Sequence, residues 1–125
     1  MFILRKDYDN IMTTRRALCP FPFLGYIEFL TLTCYNALKH IGGDFLHIIA
    51  VDDELLALGL LVRSIREACP VAQISEFQSG HEALQFLESN RCDVAFLDIH
   101  MRGIDGLTLA KKIKELNPQC NLIFV

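Results

Sequence analysis

The chain has 125 residues, 52% hydrophobic and 22% charged, enough for one small domain with its own core and too apolar for a disordered tail. A net charge of -3 and a pI near 5.7 exclude the basic stripe of a nucleic-acid-binding domain, so no direct nucleic-acid partner is expected. The five cysteines, Cys19, Cys34, Cys69, Cys92 and Cys120, are odd in number and include no Cys-x-x-Cys pair. They read as reduced thiols packed as small apolar groups in a cytoplasmic protein.

Residues 1–45 differ in character from the rest. Arg15 and Arg16 precede an apolar stretch, Ala17 to Leu38, with the outline of an export or membrane-spanning segment. Pro20 and Pro22 break its start, Glu28 stands in its middle and Asn36 near its end, which neither a signal peptide nor a spanning helix tolerates well, so no membrane partner is expected. An amphipathic helix around Tyr26 to Lys39 would place Ile27, Leu30, Cys34 and Leu38 on one face. The segment also fits untranslated leader read in frame: codons for Gly42-Gly43-Asp44 can resemble a ribosome-binding site, at start-codon distance from Leu46.

From Leu46 the pattern is regular. His47 to Val51 forms a first strand, followed by a helix with Asp53 as its cap and Glu54 in its first turn. Leu55, Leu58, Val62, Ile65 and Cys69 recur at three- and four-residue steps as its buried face, and Pro70 stops it. Ala72 to Phe77 is a weaker second strand, suited to a sheet edge because Gln73 and Ser75 alternate with apolar residues. Ser79-Gly80 turns into a short helix carrying Ala83, Leu84 and Leu87, ended near Asn90. Asp93 to Leu97 is a third strand. Gly106 to Leu116 is a third helix, with Leu109, Ala110, Ile113 and Leu116 inward and Lys111, Lys112 and Lys114 outward, closed by Asn117-Pro118. Leu122 to Val125 begins a fourth strand. Strands alternating with helices at this spacing predict an α/β fold with a doubly wound parallel sheet.

Chemistry concentrates where two of these strands end. The apolar run Val94-Ala95-Phe96-Leu97 stops at Asp98, and Leu46 to Val51 stops at Asp52, Asp53 and Glu54. In open α/β sheets ligands bind outside the carboxyl ends of the strands. If these two strands are neighbours, several carboxylates share one crevice and call for a cation or a proton. His47, His81 and the imidazole of His100 read as packed or exposed groups without a chemical part.

Val51-Asp52-Asp53-Glu54, Phe96-Leu97-Asp98-Ile99-His100-Met101 and the following Asp105-Gly106 resemble the receiver domain of bacterial two-component response regulators, in a flavodoxin-like fold. The resemblance runs from Leu46 to Val125, and Asp-Ile-His-Met-Arg-Gly-Ile-Asp-Gly looks most like regulators with a LytTR-type output domain. It implies that Asp98 is the phosphoacceptor and that Mg²⁺ is held by Asp53, Asp98 and the backbone carbonyl of His100, with Asp52 acting mainly through water. It further implies a sensor histidine kinase as partner in a phosphorelay, transcription regulation through an output domain, and a receiver dimer when complete. The chain would be a phosphoprotein and self-phosphorylating acceptor at most, not an enzyme in the ordinary sense.

Two departures from the family stand out. Arg102 occupies the place where many receivers have proline, which should loosen the loop slightly and leave Asp98 alone. The family's Ser or Thr at the end of the fourth strand and Lys at the end of the fifth have no counterpart before Val125, so the resemblance implies a receiver truncated after its fourth strand. In a sheet of order 2-1-3-4-5, Leu122 to Val125 would then form an unprotected apolar edge, with one face of the sheet short of cover. Two rival functions are a degenerate receiver that binds proteins without phosphorylation, and a phosphatase of the haloacid dehalogenase type. The latter requires a second Asp two positions after the first, where this chain has His100.

Overall fold

Five short strands make one sheet in the order β1-β5-β4-β2-β3 in this computed structural model, which describes residues 2–4, 31–32, 34–35 and 45–125. The elements are β1 (Phe2–Leu4), β2 (His47–Val51), α1 (Leu55–Ala68), β3 (Gln73–Phe77), α2 (Gly80–Leu87), β4 (Val94–Leu97), α3 (Gly106–Leu116) and β5 (Asn121–Phe124). The four strands β3, β2, β4 and β5 are mutually parallel, as predicted, and β3 lies at an edge.

Side-chain alternation along each strand divides the core between two faces. Ile48, Ala50, Val94, Phe96 and Ile123 meet Leu58, Leu61, Val62 and Ile65 of α1 on one face. Ile49, Val51, Ala95, Leu97, Leu122 and Phe124 meet Ala83 and Leu87 of α2 and Leu109, Ala110 and Ile113 of α3 on the other. With both faces covered, the strands need no polar positions, which is why β4 reads Val-Ala-Phe-Leu and is buried throughout.

Helix ends depart from the expected pattern. Leu55 is 64% exposed and Leu116 47%, the first residue of α1 and the last of α3, whereas Leu61 in the middle of α1 is buried. Lys111 and Lys112 are exposed as expected, while Lys114 is half-buried with its Nζ donating to the Pro118 carbonyl. The α1 cap is Glu54, whose side chain makes no capping bond, so Asp53 does not cap this helix and Glu54 lies outside its first turn. Ser79 and Asp105 do cap α2 and α3, accepting from the backbone N–H of His81 and Thr108.

The expected bare edge is not bare. β1 pairs antiparallel with β5, placing Phe2 opposite Phe124, Ile3 opposite Ile123 and Leu4 opposite Leu122. Nor is a sheet face left wet, since Leu122, Ile123 and Phe124 are all buried. Thr31, Leu32, Cys34 and Tyr35 are helical, and Cys34 belongs to the α1-side core, in keeping with the predicted amphipathic face. Ile27, Leu30 and Leu38, the other members of that face, fall outside the described residues, as does most of Ala17–Leu38. Among the described residues no helix is long and apolar enough to cross a membrane.

The described cysteines, Cys34, Cys69, Cys92 and Cys120, are free thiols buried in the core. Burial and the neighbouring Cys69 push the Cys34 thiol up to about 12, and burial with Cys120 beside it raises Cys92 as well. They are packing groups, as the composition suggests; Cys19 is outside the described residues.

Removing residues 1–45 is expected to expose the β5 edge and the core around Cys34. Each large apolar side chain that becomes wet costs about 1.5–3 kcal/mol, comparable in sum to the stability of a small domain. Urea unfolding and sedimentation of residues 46–125 should show a lower midpoint and concentration-dependent association. A monomer with the midpoint of the 125-residue chain would show that the segment contributes nothing to the fold.

Candidate functional site

The parallel pairing of β2 and β4 sets Val51 opposite Leu97, so the residues that follow them leave the sheet at one level. Asp98 is anchored there by its own N–H, which donates to the Val51 carbonyl at 2.9 Å, and Asp52 donates its N–H to Phe77 of β3 at 3.1 Å. As a result Asp52, Asp53 and Asp98 each offer a carboxylate oxygen within 4.8 Å of the others. The crevice anticipated from the two strand ends is thus formed by all three predicted carboxylates.

Each carboxylate has a different environment. Asp52 is the buried one, its Oδ1 accepting from the Glu54 N–H at 2.8 Å. Burial raises its carboxyl above the ordinary range, and the charges of Asp98, Asp53 and Glu54 push the same way against that hydrogen bond. Asp53 is half-buried, and its Oδ2 accepts from both the backbone N–H and the Nε–H of Arg102, each at 3.1 Å. These bonds and the guanidinium charge hold Asp53 below the usual carboxylate range. Asp98 is half-buried, with Oδ1 accepting from the His100 N–H at 3.3 Å.

The loop from β4 to α3 is shaped by two glycines. Gly103 has φ 84°, in the left-handed region that glycine enters without strain. Gly106 passes so close to β4 that a Cβ there would overlap the Asp98 carbonyl, while its N–H donates to Ile99 at 3.1 Å. Met101 anchors the middle of the loop in the core. His100 is exposed, and its imidazole is not among the grouped carboxylates.

A group of hard oxygen donors, with one carboxyl raised by burial and by its neighbours' charge, suits a hard divalent cation such as Mg²⁺. Asp53 and Asp98 offer the more exposed oxygens, with Asp52 buried behind them. The contact that sequence reasoning missed is Arg102. Rather than simply loosening the loop in proline's place, it ties the loop to Asp53 through an N–H that proline lacks. The only signal available was a cation four positions after a strand-end aspartate, facing an acidic pair.

Comparison with known proteins agrees with this geometry. Residues 48–125 match the family model of the response regulator receiver domain. The chain is 34% identical over 82 residues to a protein-glutamate methylesterase/protein-glutamine glutaminase of Azospirillum brasilense, covering 66% of this chain and 21% of that protein. It is 35% identical over 78 residues to the transcriptional regulatory protein YpdB of Escherichia coli K12, covering 62% of this chain and 32% of YpdB. The chain therefore spans between about a fifth and a third of these curated relatives. Among solved structures, the response regulator TrrA of Thermotoga maritima, in complex with Mg²⁺ and a beryllium fluoride, is similar with a TM-score of 0.58 at 32% identity, over 64% of this chain and 68% of TrrA. The α/β sheet, the strand-end acidic group and these relatives together identify the chain: it belongs to the response regulator receiver domain family.

Proposed function

We propose that Asp98 accepts a phosphoryl group from the phosphohistidine of a sensor histidine kinase, and that this phosphorelay step switches an output which regulates transcription. The observation that carries the proposal is the convergence of Asp52, Asp53 and Asp98 within 4.8 Å at the ends of adjacent parallel strands. In this reading residues 46–125 are the receiver unit, residues 1–45 an appended segment, and the protein works in the cytoplasm. The similarity to YpdB supports a transcriptional output, of LytTR type on the loop motif, and the equal similarity to the methylesterase makes an enzymatic output the alternative.

The chain's own residues account for the acceptor chemistry. Asp98 is held by the Val51 carbonyl through its backbone, and its Oδ1 is oriented by the His100 N–H. Among the described residues no protein donor reaches Oδ2, which leaves that oxygen to attack phosphorus. A P–O bond forms as the P–N bond of the phosphohistidine breaks, and the imidazole leaves with its electron pair and takes up a proton. Asp53, Asp98 and the His100 carbonyl, with Asp52 beside them, would hold Mg²⁺, which would supply the positive charge that an anionic carboxylate needs beside an anionic phosphoryl group. The product, an aspartyl phosphate, adds charge at the loop that Gly103, Gly106 and Met101 shape, where it can bias the surface of α3.

Incubation with a small phosphodonor and Mg²⁺ should therefore label wild-type protein and leave Asp98→Asn at background, with the fold retained because the side chains are isosteric. Label on the mutant would place the acceptor elsewhere, and continuous phosphate release would favour a phosphatase.

Asp53→Asn should weaken Mg²⁺ binding on the order of tenfold or more, and more than Asp52→Asn, because Asp53 offers the more accessible oxygen. A calorimetric Mg²⁺ titration compares the two, and equal losses would remove the distinction between them.

Asp52→Asn should raise the thermal midpoint by a few degrees at neutral pH. Its carboxyl is raised in the folded state, so between the unfolded and folded values the folded chain binds more protons, and stability falls as pH rises through that window. An uncharged amide escapes that loss. The gain should vanish in acid, below the unfolded value, and a midpoint difference independent of pH would contradict the assignment.

A further inference from the structure

We propose that the Arg102 side chain is a resident counter-cation of the metal position, competing with the divalent ion for Asp53 and thereby setting how readily the site takes up metal. This rests on the metal-binding reading given above and adds to it a residue that regulates occupancy.

Two separate bonds join Arg102 to the same oxygen. Its backbone N–H and its Nε–H both donate to Asp53 Oδ2, at 3.1 Å each. The backbone bond can be made by any residue except proline, and it ties the β4–α3 loop to the end of β2. The side-chain bond is different in kind, because it brings a permanent positive charge onto a carboxylate that has Asp52 and Asp98 as neighbours. A divalent ion bound to Asp53 would share that carboxylate with a guanidinium, and like charges would face each other at close range.

The anchoring of the side chain decides whether this device blocks metal or tunes it. The Arg102 side chain is 92% exposed, whereas that of Asp53 is 21% exposed. The ion pair is therefore the guanidinium's hold on the protein surface, and an exposed pair of this type is weak and salt-sensitive. A dication gathering several carboxylates outcompetes one exposed arginine, so metal enters and the side chain swings out into solvent. The cost of displacing it reduces metal affinity by about three- to fivefold at low ionic strength. Gly103, with its φ of 84°, turns the chain immediately after Arg102, so the loop path beyond it need not move when the side chain does.

The test is an Mg²⁺ titration of the whole chain at low salt, followed by amide NMR, on the wild type, Arg102→Met, Asp53→Asn and Arg66→Met. Arg66 is an exposed cation in the last turn of α1 and controls for net charge. The expected result is a three- to fivefold tighter Mg²⁺ affinity for Arg102→Met, shrinking as salt is added, with Arg66→Met unchanged. In the wild type, the Arg102 Nε–H resonance should move to the position of a free arginine as Mg²⁺ saturates. An Arg102→Met affinity equal to or weaker than wild type, or an Arg66→Met gain as large, overturns the proposal. So does an Nε–H resonance that stays in place, since arginine and metal would then occupy Asp53 together. If Asp53→Asn loses Mg²⁺ while Arg102→Met matches the wild type, only the counter-cation falls. If Asp53→Asn binds Mg²⁺ as the wild type does, the metal reading falls with it.

Discussion

Three carboxylates that repel one another are held together by a sheet that gives them no choice. β2 and β4 are parallel and in register, so the residues after Val51 and Leu97 emerge side by side. The apolar strands behind them are buried on both faces, and this fixes the strand ends against the repulsion in front. The core holds the strand ends in place, while burial, reinforced by the charges of Asp98, Asp53 and Glu54, raises the carboxyl of Asp52. A site of this kind sacrifices stability to be ready for a cation.

The two ends of the same strand show how position decides what an aspartate does. Asp93 precedes β4, and its carboxylate accepts from the His47 N–H at 2.8 Å while its backbone bonds to His47 and Asn121. It closes the pole of the sheet where the strands begin, and its charge is satisfied by a backbone donor. Asp98 follows β4 and meets other carboxylates. Sequence reading singled out Asp98 because it follows the strand at its carboxyl end, and the register of β4 on β2 then sets it beside Asp52 and Asp53. The same register brings Arg102 to Asp53, converting a loop substitution into a charge contact.

What could be read from the sequence was whatever depended on local periodicity. β2 and α3 have the expected limits, because continuous apolar runs and a three- to four-residue repeat bounded by Asp105-Gly106 and Asn117-Pro118 leave few alternatives. Asp52, Asp53 and Asp98 were legible as a group because two apolar runs both ended in carboxylates. Leu55 and Leu116 were misassigned because periodicity says which residues share a face and not that the terminal residue of a helix lies out of reach of the core. Asp53 was expected to cap α1, and its carboxylate is instead engaged by Arg102, 49 residues away, a partner that no local pattern reveals. The pairing of β1 with β5 was equally hidden, since three apolar residues near the start of a chain carry no mark of the strand they will join.

That pairing has a kinetic consequence. β2, β3, β4 and β5 are laid down in order and can each add to a neighbour already present, but β1, which precedes them among the described strands, must wait for β5. Among the described strands its pairing with β5 spans the greatest sequence separation, and prior assembly of β2–β5 shortens the loop it must close to the segment before β2. During synthesis, therefore, Phe2–Leu4 emerge long before their partner exists, and a chaperone or another chain has that interval in which to bind them. Once β5 has formed, docking of β1 competes with self-association for the same row of backbone groups, and the outcome depends on protein concentration rather than on the stability of the finished fold.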